Sequence, residues 1–389
     1  MSREINIQID NLITKLHRRQ VIGSFNVAIE TARVLRNVVS ASRWNTVRQL
    51  KETVEEVGVR LEAAQPIGKN RSPERDAWSG ELAVGNMVKR VLHLIYEEYH
   101  ALQAELREQN PDGDNDALTD AEQKDELKAA FKQGITEMID ELESSRTTIA
   151  ATAHDHIHSK YVVLRNCEVN TTAAVLDMLM AAASMLIEVL HYVLSDSEII
   201  MTVGRSRTVE LFLKDAAKHR NFQVIVVETA PFYNGQEMAK ALGSAGIDTT
   251  VISDSAVFAV MSRVNKVILG AHAVTANGGL VAVGGTYNVT AAAKYHATPV
   301  VVCSGLYKVC PSYPYDTDIY NLCISPDSVF EFEDDLLDKI DVVNPYFDFI
   351  SPDKVSLFVT NVGSHPPSFI QRLIQETYIT EDSQDIDSM

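Results

Sequence analysis

Short, mainly apolar runs alternate with helix-like segments from Glu198 onward. Five such runs follow one another along the chain: Glu198–Gly204, Gln223–Glu228, Thr249–Ser253, Asn265–Ala271 and Pro299–Gly305. Continuous apolar runs are typical of parallel strands, because helices cover both faces of a parallel sheet. Right-handed crossovers between such strands produce a doubly wound sheet. The second half of the chain is therefore predicted to fold as a Rossmann-like α/β domain.

The first half of the sequence has the 3.6-residue period of helices instead. Apolar residues recur every three or four positions, as on the buried face of an amphipathic helix, in Ile5–Ile22, Val27–Val39 and Glu81–Glu108. A stretch with Pro and Gly, residues 63–80, separates the second of these segments from the third. We therefore predict an N-terminal helical domain over residues 1–159 and the Rossmann-like C-terminal domain over residues 197–389.

Residues 109–125 form a polar, acidic stretch within the helical half. Few apolar groups and mutually repelling carboxylates predict a mobile surface loop. The acidic residues lack the ligand order of an EF-hand and its closing glutamate, which disfavours a calcium site.

Membrane insertion and export are disfavoured by charges within the apolar segments. The first twenty residues carry several charges and no apolar core, so we expect no signal peptide. Thr172–Leu194 is long and apolar enough to span a bilayer, but it contains Asp177, Glu188 and His191, which are costly in hydrocarbon. A buried amphipathic helix is favoured there over a membrane span. We expect a soluble protein of the cytosol.

The net charge narrows the classes of macromolecule that the chain could bind. The chain has 35 Lys and Arg residues against 53 Asp and Glu residues, which gives a net charge of −18. Nonspecific nucleic-acid binding needs positive charge to displace counterions, so it is disfavoured.

The four cysteines, Cys167, Cys303, Cys310 and Cys323, form no Cys-x-x-Cys pair. This spacing disfavours a disulfide framework or a zinc site and indicates buried, reduced thiols.

The residues after the first predicted strand are candidates for a binding site, since ligands bind at the carboxyl ends of strands in doubly wound sheets. Gly204, Arg205, Ser206, Arg207 and Thr208 open a helix there. Backbone N–H groups and the dipole at a helix N-terminus can hold a phosphate. The same residues also fit an ordinary N-cap by Ser206 or Thr208 with solvated arginines. The sequence leaves both interpretations open.

Other polar patterns predict no site. His154 and His158 lie one helical turn apart, with His156 between them, but no nearby cysteine or carboxylate completes a zinc set, and we expect Asp155 to point elsewhere on the helix. The glycine pairs after the fourth strand do not match a dinucleotide-binding fingerprint. No Ser-His-Asp or Cys-His triad can be nominated from order and spacing. We expect no catalytic residue, no metal and no cofactor.

Long stretches of the second half resemble a known family. They are IIMTVGRSRTVELFLKDAAKHRNFQVIVVETAPFYNGQEMA, GIDTTVISDSAVFAVMSRVNKVILGAHAVTANGG, AAAKYHATPVVVCSG and NPYFDFISPDKVSLFVTNVG, which together cover nearly all of Glu198–Gly363. The chain resembles the regulatory subunits of eukaryotic translation initiation factor 2B, a family that also includes the methylthioribose-1-phosphate and ribose-1,5-bisphosphate isomerases. The helical half resembles it more loosely, in outline and in His156–Ser159.

The resemblance implies an isomerase pocket that has lost its chemistry. The isomerases use a cysteine after the first strand, an aspartate in a Gly-Ala-Asp-Arg motif, and an Asn-Lys-Ile-Gly-Thr run near the substrate phosphate. Here Val203 is nearest to the cysteine position, and His272 replaces the aspartate. The groups needed for proton transfer and phosphate capture are therefore missing. The positions of this vestigial pocket are Val203, Gly204, Arg205, Ser206, His272, Asn277, Gly278, Ala282, Val283, Gly285 and Thr286, with Ala282 and Val283 in place of asparagine and lysine.

The resemblance also implies a noncatalytic role in a large complex. It implies pairing with a delta subunit through Rossmann-like domains, and assembly with alpha, gamma and epsilon subunits into a two-fold decamer. Epsilon would carry out guanine-nucleotide exchange. The chain would help to bind initiation factor 2 and to sense phosphorylation of its alpha subunit, and the acidic net charge suits docking to a protein rather than to RNA. The alternatives are a sugar-phosphate isomerase with an altered site, and a sensor that binds a nucleotide or sugar phosphate without reacting it.

One segment departs from the family pattern. In the subunits that the chain resembles, the His-Ile-His-Ser segment leads almost directly into the first strand, whereas residues 160–196 intervene here. We predict that these residues are a lineage-specific insertion or a gene-model artefact such as a retained intron.

Overall fold

The fold was determined as a computed structural model, which describes residues 3–18, 20–21, 23–64, 82–109, 121–157, 198–314, 323–330 and 340–378. The chain forms two compact units. Unit 1 comprises Met1–Arg146, Ala271–Tyr287 and Val302–Met389, and unit 2 comprises Thr147–Gly270 and Asn288–Val301. The units differ from the two consecutive domains predicted from the sequence, because parts of the second half of the chain pack with the N-terminal helices.

The N-terminal region is helical, as the apolar spacing predicts. The described helices are α1 (Arg3–His17), α2 (Ser24–Ala41), α3 (Val47–Ala63), α4 (Ala83–Gln109), α5 (Ala121–Ala151) and α6 (Ala153–His156). Helix α1 buries Ile5, Ile9, Leu12 and Leu16, and it ends before the predicted boundary at Ile22. Gln109 and the residues from Ala121 are helical, so both ends of the predicted 109–125 loop belong to helices. Residues 110–120 lie outside the described part of the chain.

One hydrophobic core joins the helices of unit 1. Leu35, Leu50, Met87 and Phe131, from four different helices, are all fully buried in it. Tyr307, which comes from the second half of the sequence, belongs to the same core and is 2% exposed. The side-chain amide of the buried Asn86 donates a 3.0 Å hydrogen bond to the backbone carbonyl of Tyr307. Because a buried carbonyl without a partner is costly, this bond fixes the Tyr307 turn against α4.

The second half of the chain contains a mostly parallel sheet. The described strands are β1 (Glu198–Val203), β2 (Phe222–Val227), β3 (Asp248–Ile252), β4 (Lys266–Gly270), β5 (Ala273–Val274), β6 (Leu280–Val283), β7 (Val300–Cys303), β8 (Phe347–Ile350), β9 (Leu357–Thr360) and β10 (Gly363–His365). The larger sheet has the order β10-β9-β7-β4-β1-β2-β3. The β1–β2, β1–β4 and β2–β3 pairs are parallel, and β9 and β10 are antiparallel.

The helices that alternate with these strands complete the predicted α/β pattern. They are α7 (Arg207–Ala216), α8 (Asn234–Gly243), α9 (Val257–Met261), α10 (Thr286–Tyr295) and α11 (Ile370–Thr377). Strands β1 to β4 and β7 match the five predicted strands to within about two residues at each end, the usual uncertainty of such boundaries. The strand order reverses between β1 and β4, as in doubly wound sheets. The predicted Rossmann-like fold is confirmed.

A smaller antiparallel sheet of order β5-β6-β8 lies in unit 1 and is absent from the sequence-based prediction. Its buried residues Ala273, Val281 and Phe347 form a small apolar cluster. Strands of two to four residues are too short for hydrophobic periodicity to reveal them.

Two sequence predictions fall on residues that are not described. The buried helix at Thr172–Leu194 and the insertion at 160–196 both lie outside the described residues. Among the helices that the structure does describe, none combines the length and apolar character needed to cross a bilayer.

Candidate functional site

The turn after β1 carries the first group of predicted pocket positions. Val203 is the last, buried residue of the strand. Gly204 has a φ of +59°, a left-handed conformation that favours glycine, and its N–H donates a 3.3 Å hydrogen bond to the Val227 carbonyl. The glycine therefore lets the chain turn sharply from β1 towards α7. None of these groups is an acid or a base.

Ser206 caps helix α7. Its hydroxyl oxygen accepts a 3.4 Å hydrogen bond from the backbone N–H of Val209, which would otherwise have no partner in the first helical turn. Gly270, at the end of β4, lies close to this cap, because a Cβ at position 270 would be 2.4 Å from Ser206 Oγ. The N-cap interpretation of this loop therefore accounts for Ser206, and the close approach accounts for the glycine.

Arg205 is paired within the chain. Its Nη1 donates to Oε2 of Glu237 on α8, and both side chains are about half exposed. The sequence predicts that this arginine either binds phosphate or is solvated, and the structure gives it a carboxylate partner instead. The glutamate neutralises the positive charge that would attract an anion to the loop. An exposed ion pair of this kind contributes little to stability.

His272 is held by packing and by hydrogen bonds. Its ring stacks on Phe347, with ring centroids 4.1 Å apart and planes 27° from parallel. Nδ1 lies 3.4 Å from Oγ of Ser24, and the backbone N–H donates a 2.9 Å hydrogen bond to the Val281 carbonyl. These contacts give the histidine a structural role in the small sheet of unit 1.

Asn277 and Gly278 form the turn between β5 and β6. Oδ1 of Asn277 accepts hydrogen bonds from the Thr275 hydroxyl at 2.7 Å and from the Gly279 N–H at 2.9 Å. Gly278 has a φ of +80°, and a Cβ there would lie 2.5 Å from the carbonyl oxygen of Pro367. The asparagine oxygen is thus used to close the hairpin, and the glycine is required by both its conformation and its neighbour.

The run Ala282–Thr286 leads into the N-terminus of α10. Ala282 is buried and pairs with Asp348 of β8. Gly285 has a φ of +89°, and the Thr286 hydroxyl donates a 2.6 Å hydrogen bond to the Val283 carbonyl. Oδ2 of Asp348 accepts a 2.9 Å hydrogen bond from the N–H of Tyr287. An acidic side chain of the protein therefore occupies the place that a phosphate would take at this helix N-terminus.

The predicted pocket positions form two local groups. Residues 203–206 belong to unit 2. In unit 1, Val283 pairs with Phe347, whose ring also stacks on His272, so these positions share a neighbour. Each group makes hydrogen bonds within its own unit that are typical of caps and turns.

Sequence reasoning missed the residues that hold these positions. Ser24 is separated from His272 by 248 positions, Glu237 from Arg205 by 32, and Asp348 from Tyr287 by 61. Strand β8 is too short for its apolar pattern to indicate a strand or the strand with which it pairs. No local sequence signal identifies these partners.

The histidine cluster does not form a metal site in the described residues. His154 Nε2 lies 3.2 Å from Asp155 Oδ1, so the expectation that Asp155 points elsewhere is wrong. The ring of His156 stacks against Phe212 at 6.3 Å. His158 lies outside the described part of the chain. Within that part, no three His, Cys, Asp or Glu side chains are grouped so as to hold a metal ion.

Two of the four cysteines are buried thiols, as their spacing predicts. Cys303 and Cys310 are free and buried, whereas Cys323 is free and exposed, so the prediction of buried thiols is wrong for Cys323. Cys167 lies outside the described part of the chain. Burial raises the pKa of the Cys303 thiol to about 12, and the Lys308 ammonium offsets only part of this effect. Since the thiolate is the nucleophilic form, Cys303 is inert near neutral pH.

Comparisons with known proteins give a consistent result over most of the chain. The profile of the Initiation factor 2 subunit family matches residues 20–193 and 181–367. The translation initiation factor eIF2B subunit beta of Dictyostelium discoideum is 38% identical over 420 aligned positions, which cover 96% of this chain and 95% of the relative.

Solved structures agree with this similarity. The crystal structure of eIF2B beta from Chaetomium thermophilum has a TM-score of 0.70 at 27% identity and covers 97% of this chain and 94% of that chain. A chain of the tetrameric eIF2B-beta2-delta2 complex from the same organism has a TM-score of 0.65 at 27% identity, with coverages of 96% and 95%.

Proposed function

Because the chain belongs to the initiation factor 2 subunit family, we propose that it acts as a beta-type regulatory subunit of eukaryotic translation initiation factor 2B. This complex is the guanine-nucleotide exchange factor for initiation factor 2. The observation that carries the proposal is a similarity to a beta subunit that extends over the helical half as well as the sheet. A shared Rossmann-like fold alone would not indicate a shared role, since that fold hosts many functions.

We propose further that the chain has no catalytic activity of its own and that exchange is carried out by the epsilon subunit. Three features support an inactive pocket. Val203 has no group that can transfer a proton. His272 is stacked and hydrogen-bonded within unit 1. Asp348 places a negative charge where a sugar phosphate would need positive charge and free N–H donors.

The proposed partners follow from the complex. The similar tetrameric assembly from Chaetomium thermophilum combines two beta with two delta subunits, which supports pairing with delta, and we propose that the Rossmann-like domains form this contact. Alpha, gamma and epsilon subunits would complete the assembly in the cytosol. The chain would contribute to binding initiation factor 2 and to sensing phosphorylation of its alpha subunit. The net charge of −18 supports a protein partner rather than a nucleic acid.

Affinity purification of the tagged chain from its native cell extract tests the assignment. We expect the other four subunits to co-purify in stoichiometric amounts, together with initiation factor 2. Recovery of the tagged chain without them would overturn the proposal. Turnover of methylthioribose-1-phosphate or ribose-1,5-bisphosphate by the purified chain would instead identify an isomerase. Thermal stabilisation by a sugar phosphate, lost in the Arg205→Ala variant, would identify a metabolite sensor.

A further inference from the structure

Lys266 contacts both chain segments that flank residues 158–197. Its Nζ donates to the backbone carbonyl of His156, in the helix that precedes them, and forms a 2.9 Å ion pair with Oε1 of Glu198, the first residue of β1. Because both acceptors bind one ammonium group, they lie within about 6 Å of each other, twice the length of a hydrogen bond. The carbonyl of His156 and the side chain of Glu198 therefore meet at one ammonium group, so the two flanks lie within a side-chain length of this point.

The ion pair lies in a largely buried environment. The side chains of Lys266 and Glu198 are 12% and 13% exposed. Removing the Lys266 ammonium takes a charge partner away from a largely buried carboxylate, which is strongly destabilising. The Lys266 contact is therefore a stable link between the two flanks rather than a loose surface pair.

Each flank is also anchored independently of Lys266. The ring of His156 stacks against Phe212 of α7. The N–H of Ile199 donates a 2.8 Å hydrogen bond to Oδ1 of Asn265, and the N–H of Asn265 donates a 2.9 Å hydrogen bond to the Ile199 carbonyl. The flanks are thus positioned by described residues of unit 2.

We infer that residues 158–197 are an insertion into an otherwise complete unit 2, that Lys266 clamps the two ends of this insertion together, and that the unit folds without it. The cost of closing a loop rises only slowly with its length, so a long insertion at a closed base is tolerated. A linker of eight residues reaches about 26 Å, which exceeds the roughly 6 Å between the two acceptor atoms plus the length of the Glu198 side chain. The inference concerns the connection of the chain alone and does not depend on the proposed function.

Replacement of residues 158–197 by a Gly-Ser linker of four residues, and separately of eight, tests the inference. Each variant is produced in the same way as the full chain. We expect the thermal midpoint to stay within about 3 °C of that of the full chain, a change of no more than about 1 kcal/mol. The amide protons of β1 and β4 should keep their protection from hydrogen exchange. Loss of that protection in both variants would overturn the inference.

The clamp is tested in the full chain with Lys266→Met. The matched control is Lys218→Met, because Lys218 forms a 2.6 Å ion pair with Asp215 but is 66% exposed. We expect Lys266→Met to lower the thermal midpoint by about 5 °C or more and Lys218→Met to lower it by less than about 2 °C. Equal effects of the two substitutions would show that Lys266 does not clamp the flanks.

Discussion

The backbone N–H of Tyr287 donates a 2.9 Å hydrogen bond to the carboxylate of Asp348. Tyr287 is the second residue of α10, so the carboxylate lies where the helix dipole favours a negative charge. Phosphate-binding proteins use the same helix position to hold their ligand. In this protein a side chain of the small sheet takes the place of a bound anion, which links the stability of that sheet to the start of the helix.

Replacement of Asp348 should therefore be destabilising. We expect Asp348→Ala to lower the free energy of unfolding by about 1 kcal/mol, the usual effect of losing a helix cap. Asp348→Asn should cost less, because the amide oxygen still accepts a hydrogen bond and only the charge is lost. Urea denaturation measures both values, with the exposed Asp341→Asn as a control. Equal stabilities of Asp348→Ala and the control would contradict this account.

Gly270 and Ser206 should be energetically coupled. A Cβ at position 270 would lie 2.4 Å from Ser206 Oγ, so Gly270→Ala is expected to cost about 1–3 kcal/mol through overpacking. Ser206→Gly removes the obstructing hydroxyl and alone costs only a few tenths of a kcal/mol, about what a glycine N-cap costs. In the double variant the cost of Gly270→Ala should fall by about 1 kcal/mol, as measured in a double-mutant cycle. Additive effects of the two substitutions would mean that the close contact with Ser206 is not the reason why position 270 is a glycine.

The described cysteines should differ in reactivity. Cys323 is exposed, whereas Cys303 and Cys310 are buried. Alkylation with iodoacetamide at pH 8 followed by peptide mass analysis should modify Cys323 in the native protein and modify the other two only after denaturation. Cys323→Ser is the control for assigning the native signal. Modification of Cys303 in the folded protein at a rate comparable to that of Cys323 would contradict the burial.

Stability should decrease at alkaline pH. Burial raises the pKa of Cys303 to about 12 from an ordinary value of 9.0, so the unfolded chain releases this proton at a lower pH than the folded chain does. Because the folded state binds more protons between about pH 9 and 12, the free energy of unfolding falls as pH rises through that window. Cys303→Ala should make this decrease smaller, as measured by urea denaturation at several pH values. An unchanged pH dependence in the variant would contradict the assigned cause. Burial also raises the pKa of Tyr378, which adds to the decrease in both proteins.

The chain expressed alone should be poorly soluble, and co-expression with a delta subunit should rescue it. Obligate interfaces are large and apolar, so a subunit produced without its partners exposes apolar surface to water. Phe258 and Tyr295 illustrate such surface, since their rings lie 5.2 Å apart and are 56% and 74% exposed. Soluble yield and gel filtration measure the outcome, with an unrelated co-expressed protein as the control. A stable, monodisperse monomer at micromolar concentration would contradict the prediction.

The parts of the fold that the sequence predicts are those with a strong local pattern. The apolar runs identify β1 to β4 and β7, and the spacing in α1 identifies its buried face. Helix α5 begins within the acidic stretch because tertiary packing of its later apolar residues overrides the polar character of its first turns. The sheet formed by β5, β6 and β8 depends on pairing between distant segments, which no local period reveals.

The candidate site also combines features that the local sequence predicts with features that depend on distant residues. The N-cap role of Ser206 follows from a serine at the start of a helix, and the structure agrees with it. The partner of Arg205 and the carboxylate at α10 come from residues far along the chain, so the sequence alone leaves the charge of each loop undefined. The net charge of such a loop depends on tertiary contacts with distant residues, whereas a helix cap depends on residues that are neighbours in the sequence.

The place of Tyr307 in the helical core of unit 1 has a consequence for biosynthesis. The helices of residues 3–151 leave the ribosome first, and at ordinary rates of elongation the remaining residues up to 307 require roughly 10–30 s more. During that interval the nascent helices lack the aromatic ring that fills their core and the carbonyl that binds Asn86. The helices are therefore made before the residue that completes their core. Any pause in translation before residue 307 would prolong the time during which the apolar faces of these helices can bind chaperones.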